Sequence, residues 1–215
     1  VETALGFLYF VEKQCDIVIL EVGMGGLMDA TNLIEKPLVS VLVSISMDHM
    51  KFLGNSLAEI AAQKAGILKS GCPVVTIRQE DEAQAVVEAK AKELSCPLTV
   101  VEKSDLKNVK YGLEKQRFDY LAYKKLEIHL AGQVQVENAA LAVGVLQVLD
   151  SQGYKISENK LRQGLEQTKW PGRFTVIGKK PIFVVDGAHN EDAAKRLAQS
   201  IEFYFTNKYT KSFVK

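Results

Sequence analysis

The first candidate site lies where a short apolar run, residues 16–22, meets a glycine-rich segment with the sequence EVGMGGLMDATN, residues 21–32. Such a run is typical of a strand that is covered on both faces in a parallel sheet, and ligands bind at the carboxyl edge of such sheets. The glycines let the backbone approach a phosphate or turn sharply, although a glycine-rich segment alone is more often only a turn. Glu21 is therefore a candidate ligand-binding carboxylate.

A carboxylate and an imidazole follow the next apolar run, residues 39–45, in the form of Asp48 and His49. If both runs are strands of one parallel sheet, these side chains reach the edge where Glu21 lies. Glu oxygen and His nitrogen together can hold a divalent ion, and a site that keeps several waters suits Mg²⁺ carrying a nucleotide phosphate. The alternative is that Asp48 caps the next turn and that His49 is an ordinary surface histidine.

Two further segments carry charged side chains. Lys64 lies in a predicted helix among small residues, AAQKAGI, which leave room for a ligand, and a solvated lysine is the alternative. The segment DGAHN, residues 186–190, places Asp186 after another apolar run and predicts a helix with Asn190 as its N-cap. A helix N-terminus beside His189 favours an anion.

The elements that must position these residues alternate between strand and helix in the first hundred residues. A capping box from Ser56 to Glu59 predicts a helix of roughly a dozen residues that ends near Gly71. Residues 80–94 have one apolar face at helical spacing and predict a second helix. The predicted strands are residues 16–22, 39–45, 73–77 and 98–101. This order predicts an α/β fold with a mostly parallel sheet and flanking helices.

The pattern changes in residues 109–130, where polar and apolar residues alternate and predict a small antiparallel side sheet. Helices are predicted at residues 135–149 and 157–168. The turn sequence WPGR, residues 170–173, then interrupts the pattern. We place a domain boundary at 169–172, which divides the chain into domains of residues 1–170 and 171–215. The predicted elements of the second domain are strands at 174–177 and 182–185 and a helix from about Glu191.

Composition excludes several classes of protein. The 215 residues, 47% of them hydrophobic and 25% charged, are typical of a soluble globular protein. A net charge of +1 gives no surplus for binding nucleic acid without regard to sequence. The longest apolar stretch, residues 37–47, is far shorter than a membrane span of about 20 residues. Three cysteines without a CxxC pair or metal-ligand spacing predict reduced, mostly buried thiols in a cytoplasmic protein.

Six segments, in order along nearly the whole chain, resemble motifs of the Mur ligase superfamily and, within it, of the folylpolyglutamate and dihydrofolate synthases. The family pattern EVGLGGRLDATN is matched here by EVGMGGLMDATN, and the family tetrad KAGI is present unchanged at residues 64–67. The six segments are EVGMGGLMDATN at 21–32, DH with FLG at 48–54, KAGI at 64–67, VQVEN at 134–138, WPGRF at 170–174 and DGAHN at 186–190. The resemblance implies a Mur ligase central domain followed by the start of a Rossmann-like C-terminal domain.

The resemblance also implies two groups of site residues. In the first group, Glu21 and His49 bind Mg²⁺, and Lys64 is carbamylated by CO₂ so that its carbamate helps to hold a metal. In the second group, Asn138 meets the adenine of ATP and Asp186 its ribose, while Arg173 and His189 face the phosphates. The implied catalytic residues are Lys64, His49 and His189.

The implied reaction is an ATP-dependent ligation. ATP phosphorylates a carboxylate of folate or dihydropteroate to an acyl phosphate, and the amine of L-glutamate attacks it to form an amide. The implied partners are these small molecules alone, with no nucleic acid or membrane, in a cytoplasmic protein that is monomeric when complete. A cell-wall peptide ligase of the same superfamily is the second interpretation. The third is that these 215 residues alone are a non-catalytic nucleotide-binding module.

The sequence departs from the family pattern at three positions and lacks one expected motif. Leu27 stands where arginine is common, Met50 where threonine often follows DH, and Val134 where histidine is usual. The family's glycine-rich phosphate loop is expected roughly a hundred residues before Glu21, and most of the C-terminal domain after the chain's last residue. The chain begins at Val1 without an initiator Met or a signal-like leader, and it stops shortly after a helix-like segment near residue 203, so we expect both ends to be cut. We therefore expect negligible ATP turnover from these residues alone.

Overall fold

The computed structural model describes residues 1–47, 49–189 and 191–206. The predictions made for Asp48 and for Asn190 as an N-cap lie outside the described residues. The chain forms two compact units, the first from Val1–Val74 and Gln79–Leu98, the second from Val75–Arg78 and the described residues from Thr99 onward. The predicted domain boundary at 169–172 stays a prediction.

The helices and strands follow the order that the sequence predicts for most of the chain. The helices are α1 (Glu2–Glu12), α2 (Met50–Leu53), α3 (Leu57–Ala65), α4 (Asp81–Glu93), α5 (Val134–Ser151), α6 (Glu158–Gln167) and α7 (Glu191–Ile201). The strands are β1 (Ser40–Leu42), β2 (Val74–Ile77), β3 (Leu98–Val101), β4 (Leu106–Lys110), β5 (Gln116–Tyr120), β6 (Tyr123–Ile128), β7 (Thr175–Lys179) and β8 (Ile182–Val185). A 3₁₀ turn lies at Lys103–Asp105 and a π-helical turn at Glu202–Thr206.

Strands β1, β2 and β3 form one sheet in that order. The amide of Val74 donates to Pro97 O at 2.8 Å, and the amide of Arg78 donates to Val101 O at 2.9 Å. Because both residues advance by the same number of positions between these two bonds, β2 and β3 run parallel. The α/β class with a parallel sheet is confirmed.

The prediction of a strand at residues 16–22 is wrong. These residues form no strand, and the side chains of Ile17 and Ile19 are 47% and 91% exposed. A strand needs a neighbour that accepts and donates its backbone hydrogen bonds, and none of the described strands pairs with this segment. The apolar side chains of this run favour burial, but in the described structure those of Ile17 and Ile19 are exposed.

The strand predicted at residues 39–45 forms, but it is only three residues long. Beyond β1 the backbone pairs with a side chain instead of a strand. The buried Gln79 side chain donates to Val43 O at 2.9 Å and accepts from Ile45 N at 2.8 Å. This amide satisfies the polar groups that a neighbouring strand would have satisfied.

Helix α3 begins as predicted and ends early. The hydroxyl of Ser56 accepts from Glu59 N at 3.2 Å, while a Glu59 oxygen accepts from Asn55 N at 2.6 Å, one residue before the N-cap that a standard capping box would use. The helix ends at Ala65, with Gly66 as its C-cap, and does not continue to the neighbourhood of Gly71. Glycine at the C-cap ends helices readily because it loses the most backbone entropy in a helix.

The core of the first unit lies around α3 and α4. It unites fully buried side chains of α3, such as Ile60 and Ala61, with Ala83 and Val87 of α4. The cluster contains Leu42, Ile45, Leu53, Ile60, Ala61, Ala65, Leu68, Val74, Ala83, Val87, Ala91 and Cys96. Helix α1, by contrast, contributes no buried residue. Cys72 and Cys96 are buried free thiols as predicted, whereas Cys15 is exposed.

The second unit contains the predicted side sheet, with β4, β5 and β6 paired antiparallel in that order, and a hairpin of β7 and β8. Its helix α5 packs closely where it passes Gly144, since a Cβ there would lie 3.1 Å from a methyl of Val101. The predicted N-cap of α6 is confirmed, because the Ser157 hydroxyl accepts from Lys160 N. Within the described residues, no helix is long and apolar enough to cross a membrane.

Candidate functional site

The glycine-rich segment that follows Glu21 packs against the C-terminal turn of α3, which carries Lys64. The amide of Leu27 donates to Gln63 O at 2.9 Å. A Cβ at Gly26, where φ is +155°, would lie 2.9 Å from Gln63 O and 3.0 Å from Lys64 O. Glycine at this position therefore lets the loop reach the helix backbone. The close approach that Gly26 makes in the described structure is to the helix that carries Lys64, and the approach of a phosphate to these glycines stays a prediction.

Asp29 holds the beginning of this loop in place. One of its oxygens accepts from Gly23 N at 2.9 Å and from Met24 N at 3.1 Å, and the other accepts from the Thr31 amide and hydroxyl. Burial raises the pKa of the Asp29 carboxyl, but the hydrogen bonds from Thr31, Met24 and Gly23 outweigh burial and hold this pKa below its ordinary value of 3.8. Asp29 therefore stays charged near neutral pH and ties together a loop that begins two residues after Glu21.

Lys64 is a half-buried cation in the last turn of α3. Its side chain makes no hydrogen bond or ion pair with any other described residue. A lysine in such a setting is a candidate for ligand binding or for covalent modification.

Glu21 is exposed and lines a cavity of about 150 Å³ between α1 and the segment around Leu20. Within the described part of the chain its carboxylate has no hydrogen-bond partner, which leaves both oxygens for a metal ion. His49 is exposed, begins α2, and has φ of 52°, in the left-handed region that few residues other than glycine adopt. Backbone strain of this kind clusters at functional sites.

The donor set of Glu21, His49 and Lys64 contains two ordinary metal ligands and one lysine. Among the described residues, no three His, Cys, Asp or Glu side chains are grouped so that they could hold a metal ion. Carboxylate oxygen and imidazole nitrogen suit Mg²⁺ that keeps several waters, and a lysine joins such a set only as a carbamate, which supplies oxygen ligands. Glu21, His49 and a carbamylated Lys64 are therefore residue types that can hold Mg²⁺, and the metal site stays a prediction.

In the second unit, Asn138 lies in the second turn of α5. Its side-chain amide donates to Gln135 Oε1 at 3.2 Å, and its own oxygen accepts no hydrogen bond from a described residue. An amide with one open acceptor and one open N–H can pair with the edge of a purine. The neighbouring Glu137 forms an ion pair with Lys103 at 3.1 Å, which fixes this end of α5.

The segments WPGRF and DGAHN meet in the second unit. Asp186 accepts from Phe174 N at 2.7 Å and from Ala188 N at 2.8 Å, so one carboxylate holds both turns. Phe174 has φ of 44°, an unusual value for a bulky residue. Because Asp186 already accepts from the amides of Phe174 and Ala188, a ribose hydroxyl could bind only to its remaining lone pairs.

Arg173 lies across the DGAHN turn. Its guanidinium is 5.0 Å from the centre of the Trp170 ring, and a Cβ at Gly187 would lie 2.6 Å from its Nη1. Within the described residues the guanidinium has no hydrogen-bonded partner, so its donors are available to a phosphate. His189 Nδ1 donates to Gly187 O at 2.9 Å, which leaves Nε2 for a ligand.

The structure brings Arg173, Asp186 and His189 together in the second unit, and the loop after Glu21 together with Lys64 in the first. Sequence reasoning assigned no role to Asp29, Asn32 or Trp170, although all three lie inside the motifs it singled out. The available signal was the position of Asp29 and Asn32 after the glycines, because such side chains commonly hydrogen bond to nearby backbone.

Comparisons with known proteins agree with these motifs. Residues 1–146 match the model of the Mur ligase middle domain. The chain is 37% identical to the dihydrofolate synthase/folylpolyglutamate synthase of Bacillus subtilis, over 95% of this chain and 49% of that protein. It is also 37% identical to the folylpolyglutamate synthase of Lacticaseibacillus casei, over 97% of this chain and 50% of that protein. The chain thus spans about half the length of the curated relatives it matches.

Solved structures of the same group superpose well. The apo form of L. casei FPGS matches with a TM-score of 0.86 and 37% identity, covering 94% of this chain and 51% of that one. An FPGS–AMPPCP–folate complex matches with a TM-score of 0.88 and 36% identity, covering 95% of this chain and 51% of that one.

Proposed function

The chain belongs to the Mur ligase family, and on that premise we propose that the whole protein is an ATP-dependent ligase that adds L-glutamate to a folate or dihydropteroate carboxylate. In this proposal ATP transfers its γ-phosphoryl group to the carboxylate, which gives an acyl phosphate and ADP. The glutamate amine attacks the acyl carbon, and phosphate leaves as the amide forms. The names of the relatives support this substrate class, since the Bacillus subtilis protein is named for both folate synthase activities and the L. casei protein for folylpolyglutamate synthase.

The observation that carries the proposal is the setting of Lys64. A half-buried, unpaired lysine lies at the end of a helix that the glycine-rich loop after Glu21 contacts directly. We propose that Lys64 reacts with CO₂ to form a carbamate, which changes the charge at this position from positive to negative. Glu21, His49 and the Lys64 carbamate would hold Mg²⁺, which neutralises phosphate charge when bound.

The second group of residues holds the nucleotide in the same proposal. Arg173, with five N–H donors and no carboxylate partner among the described residues, binds phosphate oxygens, and His189 Nε2 contacts the transferring group. Asn138 pairs with the adenine and Asp186 with the ribose. The proposal also includes that the whole protein is monomeric and cytoplasmic and that its partners are small molecules alone.

A substrate panel tests this function in the whole protein. Phosphate release is measured with ATP, L-glutamate and, in separate reactions, dihydropteroate, a reduced folate and a cell-wall peptide precursor. We expect glutamate-dependent release with at least one of the two pterins and none with the peptide precursor. Turnover on the peptide precursor alone would favour the cell-wall ligase interpretation, and the absence of turnover on any pterin would remove the folate proposal.

A further inference from the structure

The side chain of Asn32 bridges the glycine-rich loop and the end of α3. Its Nδ2 donates to Leu27 O and to Gly66 O, both at 3.1 Å, and so joins positions 34 residues apart in the chain. The backbone oxygen of Asn32 also accepts from Lys69 Nζ at 3.4 Å. The last carbonyls of a helix have no partner within the helix, and Asn32 supplies one of the missing donors.

Two glycines make this contact close. A Cβ at Gly66 would collide with the Cα and Cβ of Leu27, and a Cβ at Gly26 would press on the backbone oxygens of Gln63 and Lys64. The loop and the helix end therefore touch backbone to backbone. A contact of this kind leaves the helix end little freedom to move relative to the loop.

Asp29 prepares the loop for this contact. Its two oxygens accept four hydrogen bonds from Gly23, Met24 and Thr31, which closes the loop on itself. Leu27 and Asn32, on either side of Asp29, are the residues that reach α3. Loss of the Asp29 carboxylate would release Gly23 and Met24, next to Glu21, without removing any direct contact to α3.

We propose that Asn32 and Asp29 are positioning residues for this site: Asn32 fixes the turn of α3 that carries Lys64, and Asp29 fixes the loop next to Glu21. This inference rests on the proposed function for its kinetic consequence only. The contact between the glycine-rich loop and the end of α3 can be tested in the absence of any substrate.

The structural arm of the test measures hydrogen–deuterium exchange in the whole protein. In Asn32→Ala, we expect the amide of Leu27 and those after Lys64 to exchange at least about fivefold faster, since one bridging side chain is lost. In Asp29→Asn, we expect faster exchange at Gly23 and Met24. Chemical acetylation of Lys64, followed by mass spectrometry, should become severalfold faster in Asn32→Ala while that of the exposed Lys92 stays unchanged.

The kinetic arm uses the glutamate-dependent release of phosphate. We expect Asn32→Ala to lower kcat by roughly 10- to 100-fold, as loss of a residue that orients a ligand does, with little change in the KM for the pterin. A matched control is Asn108→Ala, which removes a side-chain hydrogen bond of 2.8 Å to Asp119 in the antiparallel side sheet. This control should lower stability and leave kcat near the wild-type value.

The outcomes separate the two proposals. Unchanged exchange and unchanged Lys64 acetylation in Asn32→Ala would overturn the bridge, whatever the activity. Faster exchange with normal kcat would overturn the positioning role. A wild-type protein that turns over no pterin would remove the proposed function, and exchange and acetylation would still decide whether Asn32 holds the Lys64 turn.

Discussion

At the scale of single residues, the candidate site contains charged groups without a partner among the described residues and also groups, such as Asp186, that hydrogen bond to nearby backbone. Lys64, Glu21 and Arg173 make no ion pair with any described residue, whereas several other charged side chains do, for example Arg117 with Glu127 and Arg162 with Glu158. Of these three side chains only Lys64 is half-buried, whereas Glu21 and Arg173 are exposed to solvent. A half-buried charge without a partner is a candidate for ligand binding, and this argument therefore applies to Lys64.

The first prediction concerns Lys64 and His49. We expect Lys64→Ala and His49→Ala each to lower the rate of phosphate release by the whole protein by roughly 100-fold or more, because each removes a group that stabilises charge on the transferring phosphoryl. The measurement is steady-state release at saturating ATP. Lys92→Ala, at an exposed position of α4, is the matched control and should retain the wild-type rate. A near-normal rate in either site variant would exclude that residue from the site.

At the scale of elements, helix ends and strand ends carry most of the candidate residues. His49 is the N-cap of α2, Lys64 lies in the last turn of α3, and Asp186 follows β8. Such ends expose backbone groups and leave room for ligands, while the middles of the same elements form the core. The antiparallel side sheet differs, because its charges pair across strands instead of gathering at one edge.

The second prediction concerns the pH dependence of that side sheet. Hydrogen bonds from His129 and then Arg117 lower the pKa of the Glu127 carboxyl from 4.5 to about 2. Because the folded-state pKa lies below the unfolded one, the contribution of Glu127 to stability is complete above about pH 4.5 and is lost as the pH falls towards 2.

Urea unfolding measured between pH 6 and pH 2 checks this expectation. The wild-type protein should lose more stability over this range than Glu127→Gln, which has no carboxyl to titrate at that position. Equal losses in the two proteins would show that the contacts of Glu127 with Arg117 and His129 contribute no pH-dependent stability.

At the scale of the molecule, a buried polar network joins distant parts of the second unit. The Tyr204 hydroxyl accepts from Gly132 N at 3.2 Å and donates to Gln116 Oε1 at 3.1 Å. Gln116 in turn donates to Leu130 O and Gly132 O. The last described turn is thereby tied to β5 of the side sheet and to the segment before α5, which carries Asn138.

The third prediction tests this network. Tyr204→Phe leaves the amide of Gly132 and the oxygen of Gln116 without their partner, and we expect it to lower the free energy of unfolding by about 1–3 kcal/mol. Urea unfolding followed by circular dichroism measures the change. Tyr154→Phe, at a side chain that is 40% exposed, is the control and should change stability little. A Tyr204 variant as stable as the control would show that the network contributes nothing.

The sequence by itself determined most of the local elements and the family, while the site residues that it indicates stay a prediction. Capping residues such as Ser56 and Ser157, and the alternation in the side sheet, specify structure through contacts within a few positions, so their predictions are confirmed. The ordered motifs predicted the family because each motif is a contiguous run of residues, which can be recognised without knowing how the chain folds.

Tertiary structure alone decided the pairing of distant segments. The apolar run at 16–22 predicted a strand that does not form, because hydrogen-bonded neighbours are not encoded in the run itself. Gln79 shortens β1 from 34 positions away, and Asn32 reaches Gly66 over the same separation. Hydrogen bonds between residues so far apart depend on how the chain folds back, and no local pattern specifies them. The glycines, which the sequence indicates as a place for a phosphate or for a turn, lie in the described fold against the end of the helix that carries Lys64.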